Sequence, residues 1–494
     1  MSNISGRLIK GSVWISAARA VTNALSVLST VLLARFLLPG DFGLVALATT
    51  MLMIVSSITE LSLSSALIRH AAPTRTHFDA AWTLNALRGL VLGTLFAAAG
   101  GLAASIYGDA RLIGIMAVLG FSLFLSGLTN PRSIMLQRDL IFWQEFVLNV
   151  AQKLAGVIAS IAIAYYYKTY WALVIGTLVM QVTNVLVSYT ILPFRPRISF
   201  AHLKELLSFS LWLTAGQIIN TLNWRFDHLL VGKGLSIVAL GHYSVGGNLA
   251  QIPTRETTAP LTKIIFPGFA SIRDDRARLA AAYQRAQAFV TAVALPAGVG
   301  TALIADPLIR LTMGDKWEPV IFVVQVLASV FALQTLGSLA EPLGMAQGET
   351  RLLFMRNLQL LLIRVPLIVA GMLLGGLKGV VLARVISGVV AIFFALRLVR
   401  RFTGLDLRTQ LAANLRALAS VATMAAGVVL ASPYLTQGTD PTSLSLRIAA
   451  MCALAALIYC GTSALLWILM HKPPGPEREI QQVGAKILAR LRAA

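Results

Sequence analysis

Apolar runs long enough to cross a bilayer recur along almost the whole chain, and this limits its fold more than any other feature. About 20 consecutive apolar residues span the hydrocarbon core as a helix. Only 12% of the 494 residues are charged and 57% are apolar, whereas soluble domains carry roughly 25% charge because something must face water. The expected fold is therefore an all-α polytopic membrane protein of about fourteen transmembrane helices. Spans are expected near 11–36, 42–67, 79–103, 112–130, 143–166, 170–192, 206–231, 236–262, 284–305, 318–342, 353–375, 378–396, 411–431 and 445–470.

A net charge of +21 raises a nucleic-acid reading, but the cations do not form a patch with interleaved aromatics. They sit on alternate connections between apolar runs: Arg69 and Arg75; Arg132 and Arg138; Arg195, Arg197 and Lys204; Arg273, Arg276 and Arg278; Arg397, Arg400, Arg401 and Arg408. The opposite connections hold little beyond Lys168, Lys233 and Lys378. This is the positive-inside pattern. It predicts an inner-membrane protein with both termini cytoplasmic, an even number of spans and no nucleic-acid partner. The first apolar run continues too far for a cleaved signal and reads as an uncleaved first helix. Outer connections are short, the longest near 432–444, so no soluble domain is inserted.

Internal echoes divide the chain. The segment from Ala34 to Leu44 matches Gly232 to His242 at a shift of 198 residues, Ala80-Ala81-Trp82 matches Ala281-Ala282-Tyr283, and Met135–Asp139 matches Met345–Glu349. Six helices per repeat keeps the two copies in the same orientation, the parallel-repeat plan of many transporters. The expected organisation is an N-terminal six-helix lobe over 1–200, a second over 201–405, two additional spans over 406–470 and a basic amphipathic cytoplasmic tail over 471–494. In that tail Ile480, Val483, Ile487 and Leu491 share one face, as in a helix lying on an anionic leaflet; a solvated tail is the alternative.

Charged groups deep in a membrane cost a few kcal/mol, about 2.5–3.5 on insertion scales, and so face a cavity or a partner. In the first span Ser16, Arg19, Asn23, Ser26 and Thr30 fall on one helical face, opposite Leu, Val and Ala. This predicts a polar cleft, the alternative being an Arg19 that snorkels to the interface. Ser244, Asn248, Gln251 and Arg255 repeat the pattern, with Glu256 as a competing partner for Arg255. Gln217, Asn220, Asn223 and Asp227 lie near one face, beside Arg225, and Gln217 stands 198 residues after Arg19. The candidate cavity cations are Arg19, Arg255, Arg88, Lys153 and Arg225; the candidate polar lining is Asn23, Ser26, Asn248, Gln251, Gln217 and Asn220; Glu60 and Asp227 are the candidate ion-coupling carboxylates. Arg364 and Arg384 read as paired or snorkelling.

Cationic stripes imply an anionic passenger, since arginine binds phosphate bidentately and stays charged when desolvated. Ser, Asn and Gln offer donors and acceptors to sugar hydroxyls. There is no Walker loop, HExxH, GxSxG or metal-spaced Cys/His cluster, so neither a cofactor nor a metal is expected and the reading is a non-enzyme. Cys452 and Cys460 are eight residues apart in one run, roughly 12 Å on a helix and beyond disulfide reach. The GxxxG spacings at Gly89–Gly93 and Gly371–Gly375 read as close helix packing.

Leu33-Ala34-Arg35-Phe36-Leu37-Leu38-Pro39-Gly40-Asp41-Phe42-Gly43-Leu44-Val45-Ala46-Leu47, Leu61–Arg69 and Leu136–Phe142 resemble the polysaccharide transporters (Wzx-type oligosaccharide flippases) of the multidrug/oligosaccharidyl-lipid/polysaccharide exporter superfamily, nearest the exopolysaccharide and colanic-acid branch. The resemblance implies two six-helix lobes in a V around a central cavity plus two extra helices. It implies ion-gradient-driven alternating access that flips an undecaprenyl-diphosphate oligosaccharide outward, with membrane lipid and pathway polymerase or chain-length/export proteins as partners. A lipid II flippase or a multidrug antiporter of the same superfamily is the alternative, and a membrane polysaccharide polymerase or ligase the alternative of another class.

Overall fold

The computed structural model describes residues 2–58, 67, 73–138, 142–201, 211–435, 438–472, 475 and 477. Every regular element among them is a helix. The first nine are α1 (Ser2–Phe36), α2 (Pro39–Ile58), α3 (Arg75–Ala98), α4 (Gly100–Tyr107), α5 (Arg111–Gly127), α6 (Ser133–Arg138), α7 (Phe142–Tyr167), α8 (Trp171–Ile191) and α9 (Leu211–Gly234). There follow α10 (Ile237–Ser271), α11 (Arg276–Leu303), α12 (Ala305–Thr312), α13 (Glu318–Gln334), α14 (Ala340–Ala346), α15 (Thr350–Thr403), α16 (Leu407–Ala412), α17 (Leu415–Ala431) and α18 (Pro441–Leu469).

Ten helical stretches among the described residues are long and apolar enough to cross a membrane. One of them, α15, runs 54 residues and leaves helical geometry at Gly375 and Gly376, so it makes two passes. Beside these stand α5, apolar but only 17 residues long, and the longer, more polar α9 and α10. The protein is thus a multi-pass, all-helical membrane protein, as its apolar runs dictate.

The chain forms two compact units, Met1–Ser244 and Val245–Ala494. In the first, α3 packs along α5, α7 along α8, α1 along α7 and α2 along α9. The α3–α5 contact is backbone to backbone: a Cβ on Gly93 would overlap the carbonyl oxygen of Gly120, and one on Gly120 that of Gly93. Gly89 lies in the same seam, so this GxxxG packs helices, as small-residue spacing does in membranes. In the second unit α11 and α15 flank α13, α17 packs on α11, and α18 on α17. Its core joins Phe269, Leu279, Tyr283, Val290, Leu339, Leu343 and Val399. Local chemistry sets several helix starts: the Asp275 carboxylate accepts from the Arg278 amide at 2.9 Å, and Asp440 does the same for Ser443 at 3.0 Å just before Pro441, the usual N-cap geometry. Cys452 and Cys460 are free thiols.

The bend in α15 rests on glycine. Gly376 has φ +54° and ψ −135°, a region costing a side chain about 1–3 kcal/mol. Past the bend a Cβ on Gly379 would overlap the Gly371 carbonyl oxygen, whereas nothing lies within 4 Å of one on Gly375. Gly379→Val is therefore expected to lower the thermal midpoint in detergent well below that of Gly375→Ala. Equal midpoints would show that the two halves of α15 do not meet there.

Candidate functional site

The polar face of α1 is half-buried at Arg19, Asn23, Ser26 and Thr30. Its hydroxyls turn back onto their own helix: Ser26 donates to the Thr22 carbonyl at 2.8 Å and Thr30 to the Ser26 carbonyl at 2.9 Å. Each hydroxyl proton is thereby engaged, so Ser26 and Thr30 offer lone pairs to an incoming donor such as a sugar hydroxyl. Because α1 packs along α7, the helices that carry Arg19 and the half-buried Lys153 run side by side; near Lys153, Gln152 donates to Asn149 at 3.2 Å. Arg88, half-buried on α3, donates from Nη2 to the Ser56 carbonyl at 3.1 Å and so ties α3 to α2. Glu60 lies outside the described residues.

On α9, Gln217 is exposed, Asn220 and Arg225 are half-buried, and Asn223 and Asp227 are buried. Asp227, 2% exposed, sits in a hydrogen-bonded network. The Tyr243 hydroxyl donates to its Oδ2 at 2.5 Å. The His228 amide donates to Oδ1 at 3.0 Å, and His228 Nδ1 lies 2.9 Å from the same oxygen. The rings of His228 and Tyr243 meet edge to face, 5.3 Å between centroids. Sequence reasoning found Asp227 but missed these two partners. A signal was available: α9 and α10 are joined by a two-residue turn, Leu235-Ser236, so residues equally far to either side of it lie at one depth. Tyr107 and Lys233 tether the same region, through hydrogen bonds to the Leu229 and Ile106 carbonyls.

In the second unit Asn248 is exposed, Gln251 half-buried and Arg255 exposed. Arg255 Nε lies 3.0 Å from Glu256 Oε1, with 54% of the arginine side chain exposed. The competing Arg–Glu pairing foreseen from sequence is therefore formed. Arg364 and Arg384 are buried in α15 and each has an interaction partner, which agrees with pairing, the first of the two alternatives, rather than with snorkelling. Burial of this kind is sustained in proteins by hydrogen-bonded partners.

These helices carry the signature of a family. A family described as polysaccharide biosynthesis protein matches residues 32–322, more than half of the chain. The chain belongs to the polysaccharide biosynthesis protein family. Relatives agree along most of the length. The lipopolysaccharide biosynthesis protein WzxC of Escherichia coli (strain K12) is 23% identical over 76% of this chain and 77% of its own. The succinoglycan biosynthesis transport protein ExoT of Rhizobium meliloti (strain 1021) is 24% identical over 62% of each chain. Among solved structures, the lipid II flippase MurJ in an inward closed conformation superimposes with a TM-score of 0.72 at 15% identity, covering 92% of this chain and 99% of that one. The two chains therefore share one fold over nearly their whole length.

Proposed function

We propose that the protein flips undecaprenyl-diphosphate-linked oligosaccharide repeat units from the cytoplasmic to the periplasmic leaflet of the bacterial inner membrane for exopolysaccharide synthesis. The family match over residues 32–322 carries this reading, and the naming of a relative as a biosynthesis transport protein supports the transport step. In this reading both termini are cytoplasmic and two six-helix lobes, 1–200 and 201–405, move by alternating access.

The chemistry of the passenger matches the polar groups. Its prenyl chain stays in lipid, where apolar surface costs nothing. Its diphosphate needs cations that keep their charge out of water, which Arg19, Arg88, Arg225, Lys153 and Arg255 supply. Its sugar hydroxyls meet Asn23, Ser26, Gln217, Asn220, Asn248 and Gln251. Arg255 has to exchange Glu256 for phosphate, a change available to a half-exposed pair worth under about 1 kcal/mol. Asp227 is the described candidate for ion coupling.

The test is a deletion strain. Loss of the gene is expected to leave the lipid-linked oligosaccharide on the cytoplasmic leaflet, and the wild-type gene to restore polymer at the cell surface. Arg19→Ala and Arg255→Ala should each remove a charged hydrogen bond worth about 1.5–3 kcal/mol, and export should collapse while membrane insertion is unchanged. Normal export in both single variants would remove the cation role.

A further inference from the structure

Two of the cavities in the second unit contrast in their electrostatics. One, about 500 Å³, has both Asp306 and Arg447 in its wall, 3.9 Å apart, so its charge is balanced. The other, about 290 Å³, is lined by Leu352, Met355, Arg356 and Gln359 from the first half of α15 and by Phe394, Arg397, Leu398 and Arg401 from the second. Three cations and no carboxylate form its wall. Arg356 alone has an acid in reach, with Nη2 3.6 Å from Glu341. Among the described residues no carboxylate pairs with Arg397 or Arg401.

We propose that this basic cavity binds the phosphate of an anionic membrane phospholipid. Register places it at headgroup depth. Gly371 and Gly379 touch at the bend, so residues near 356 return opposite residues near 394–398. Arg397 stands 21 residues beyond Gly376, about 31 Å of helix rise, which matches the thickness of the hydrocarbon core. The cavity thus lies one bilayer thickness from the bend, on the side that the Arg397, Arg400, Arg401 and Arg408 cluster makes cytoplasmic by the positive-inside reading. Basic pockets between transmembrane helices on that side are suited to lipid headgroups.

The lining of the cavity combines both parts of the lipid's chemistry. Arg397 and Arg401 are one turn apart on the same helical face, a like-charge pairing that destabilises a helix unless an anion intervenes. A phosphate diester accepts from both guanidinium groups, and Gln359 adds an amide donor toward its ester or glycerol oxygens. Leu352, Met355, Phe394 and Leu398 add apolar lining beside these donors, suited to the lipid's hydrocarbon. A free phosphate would leave that lining bare. A bound lipid would also brace the two halves of α15, which otherwise hinge at glycine.

Purified full-length protein is titrated with phosphatidylglycerol, with phosphatidylcholine and with inorganic phosphate, reading bound lipid by native mass spectrometry and the thermal midpoint. The wild type should retain phosphatidylglycerol, gain stability with it, and show neither effect with phosphatidylcholine or millimolar phosphate. Arg397→Gln combined with Arg401→Gln should weaken retention at least about tenfold, the loss of one charged hydrogen bond or more, and should unfold no earlier than wild type without lipid, because a repulsion is relieved. Arg400→Gln combined with Arg408→Gln removes the same charge outside the cavity and should leave retention unchanged. Equal loss in both double variants would reduce the effect to general surface charge and overturn the proposal. So would displacement of the lipid by inorganic phosphate, or equal retention of phosphatidylcholine.

Discussion

Gly43→Ala and Gly241→Ala are each expected to destabilise the first unit about as strongly as a bad core overpacking, and to impair export with it. The two glycines hold matching positions in the sequence echo of 34–44 and 232–242, 198 residues apart, and in the structure they touch each other. A Cβ on Gly43 would overlap the Ile237 carbonyl oxygen and stand 2.9 Å from the Gly241 nitrogen. One on Gly241 would overlap the Pro39 carbonyl oxygen and stand 3.2 Å from the Gly43 nitrogen. The obstacles are backbone atoms in the first turns of α2 and α10, and they cannot rotate away as a side chain end would. The turn before α2 is further held by Asp41, whose Oδ2 accepts from the Leu38 amide at 2.9 Å. One methyl must therefore push two helices apart, at a cost of about 1–3 kcal/mol.

Because both methyls would open the same contact, the double variant should cost less than the two single effects added, as expected for residues that share a contact. Gly101→Ala is the control, since nothing lies within 4 Å of its Cβ and alanine favours a helix. Thermal midpoints in detergent, read beside polymer export in the deletion strain, check the set. A Gly43→Ala midpoint no lower than that of Gly101→Ala would show that α2 and α10 do not meet this closely.

Asp227→Ala should produce the other large effect. Its carboxylate is the acceptor for Tyr243, itself 2% exposed, and partner to His228, 8% exposed. Removing it strands polar atoms where water does not reach, at about 1–3 kcal/mol for each buried group left unsatisfied. Asp227→Asn keeps the shape and one carbonyl acceptor, so it should retain most of the stability. It cannot ionise, however. If Asp227 carries the coupling ion, the asparagine variant inserts and unfolds much like wild type yet exports no polymer. Full export by Asp227→Asn would leave the network a structural role only. Tyr243→Phe should cost about 1 kcal/mol, one hydrogen bond, with export retained at a reduced rate.

The helices themselves were legible residue by residue. A run of 20 apolar side chains has one stable backbone solution in hydrocarbon, and that solution depends on nothing distant. The period-3.6 face of Arg19, Asn23, Ser26 and Thr30 on α1 is local geometry and could be read without coordinates. So could the seam at Gly89 and Gly93, because small residues four apart always share a face. The two passes within α15 followed from its length and from glycines with no side chain to hold it straight.

What no local pattern contained was the depth at which distant residues meet. Asp227 was singled out as a carboxylate in an apolar run with His228 beside it in sequence, but Tyr243 became its partner only through the two-residue turn between α9 and α10. The repeat suggested that Gly43 and Gly241 were equivalent, not that they would touch. Arg356, Arg397 and Arg401 looked like ordinary basic residues near helix ends until antiparallel register set them around one cavity. Arg255 carried two readings that its neighbours in sequence could not separate, and in this structure its side chain pairs with Glu256. Hydrophobicity and helical period act over a few residues, so the chain alone determines its spans; pairing between spans depends on turn length and bend position, and those are properties of the folded whole.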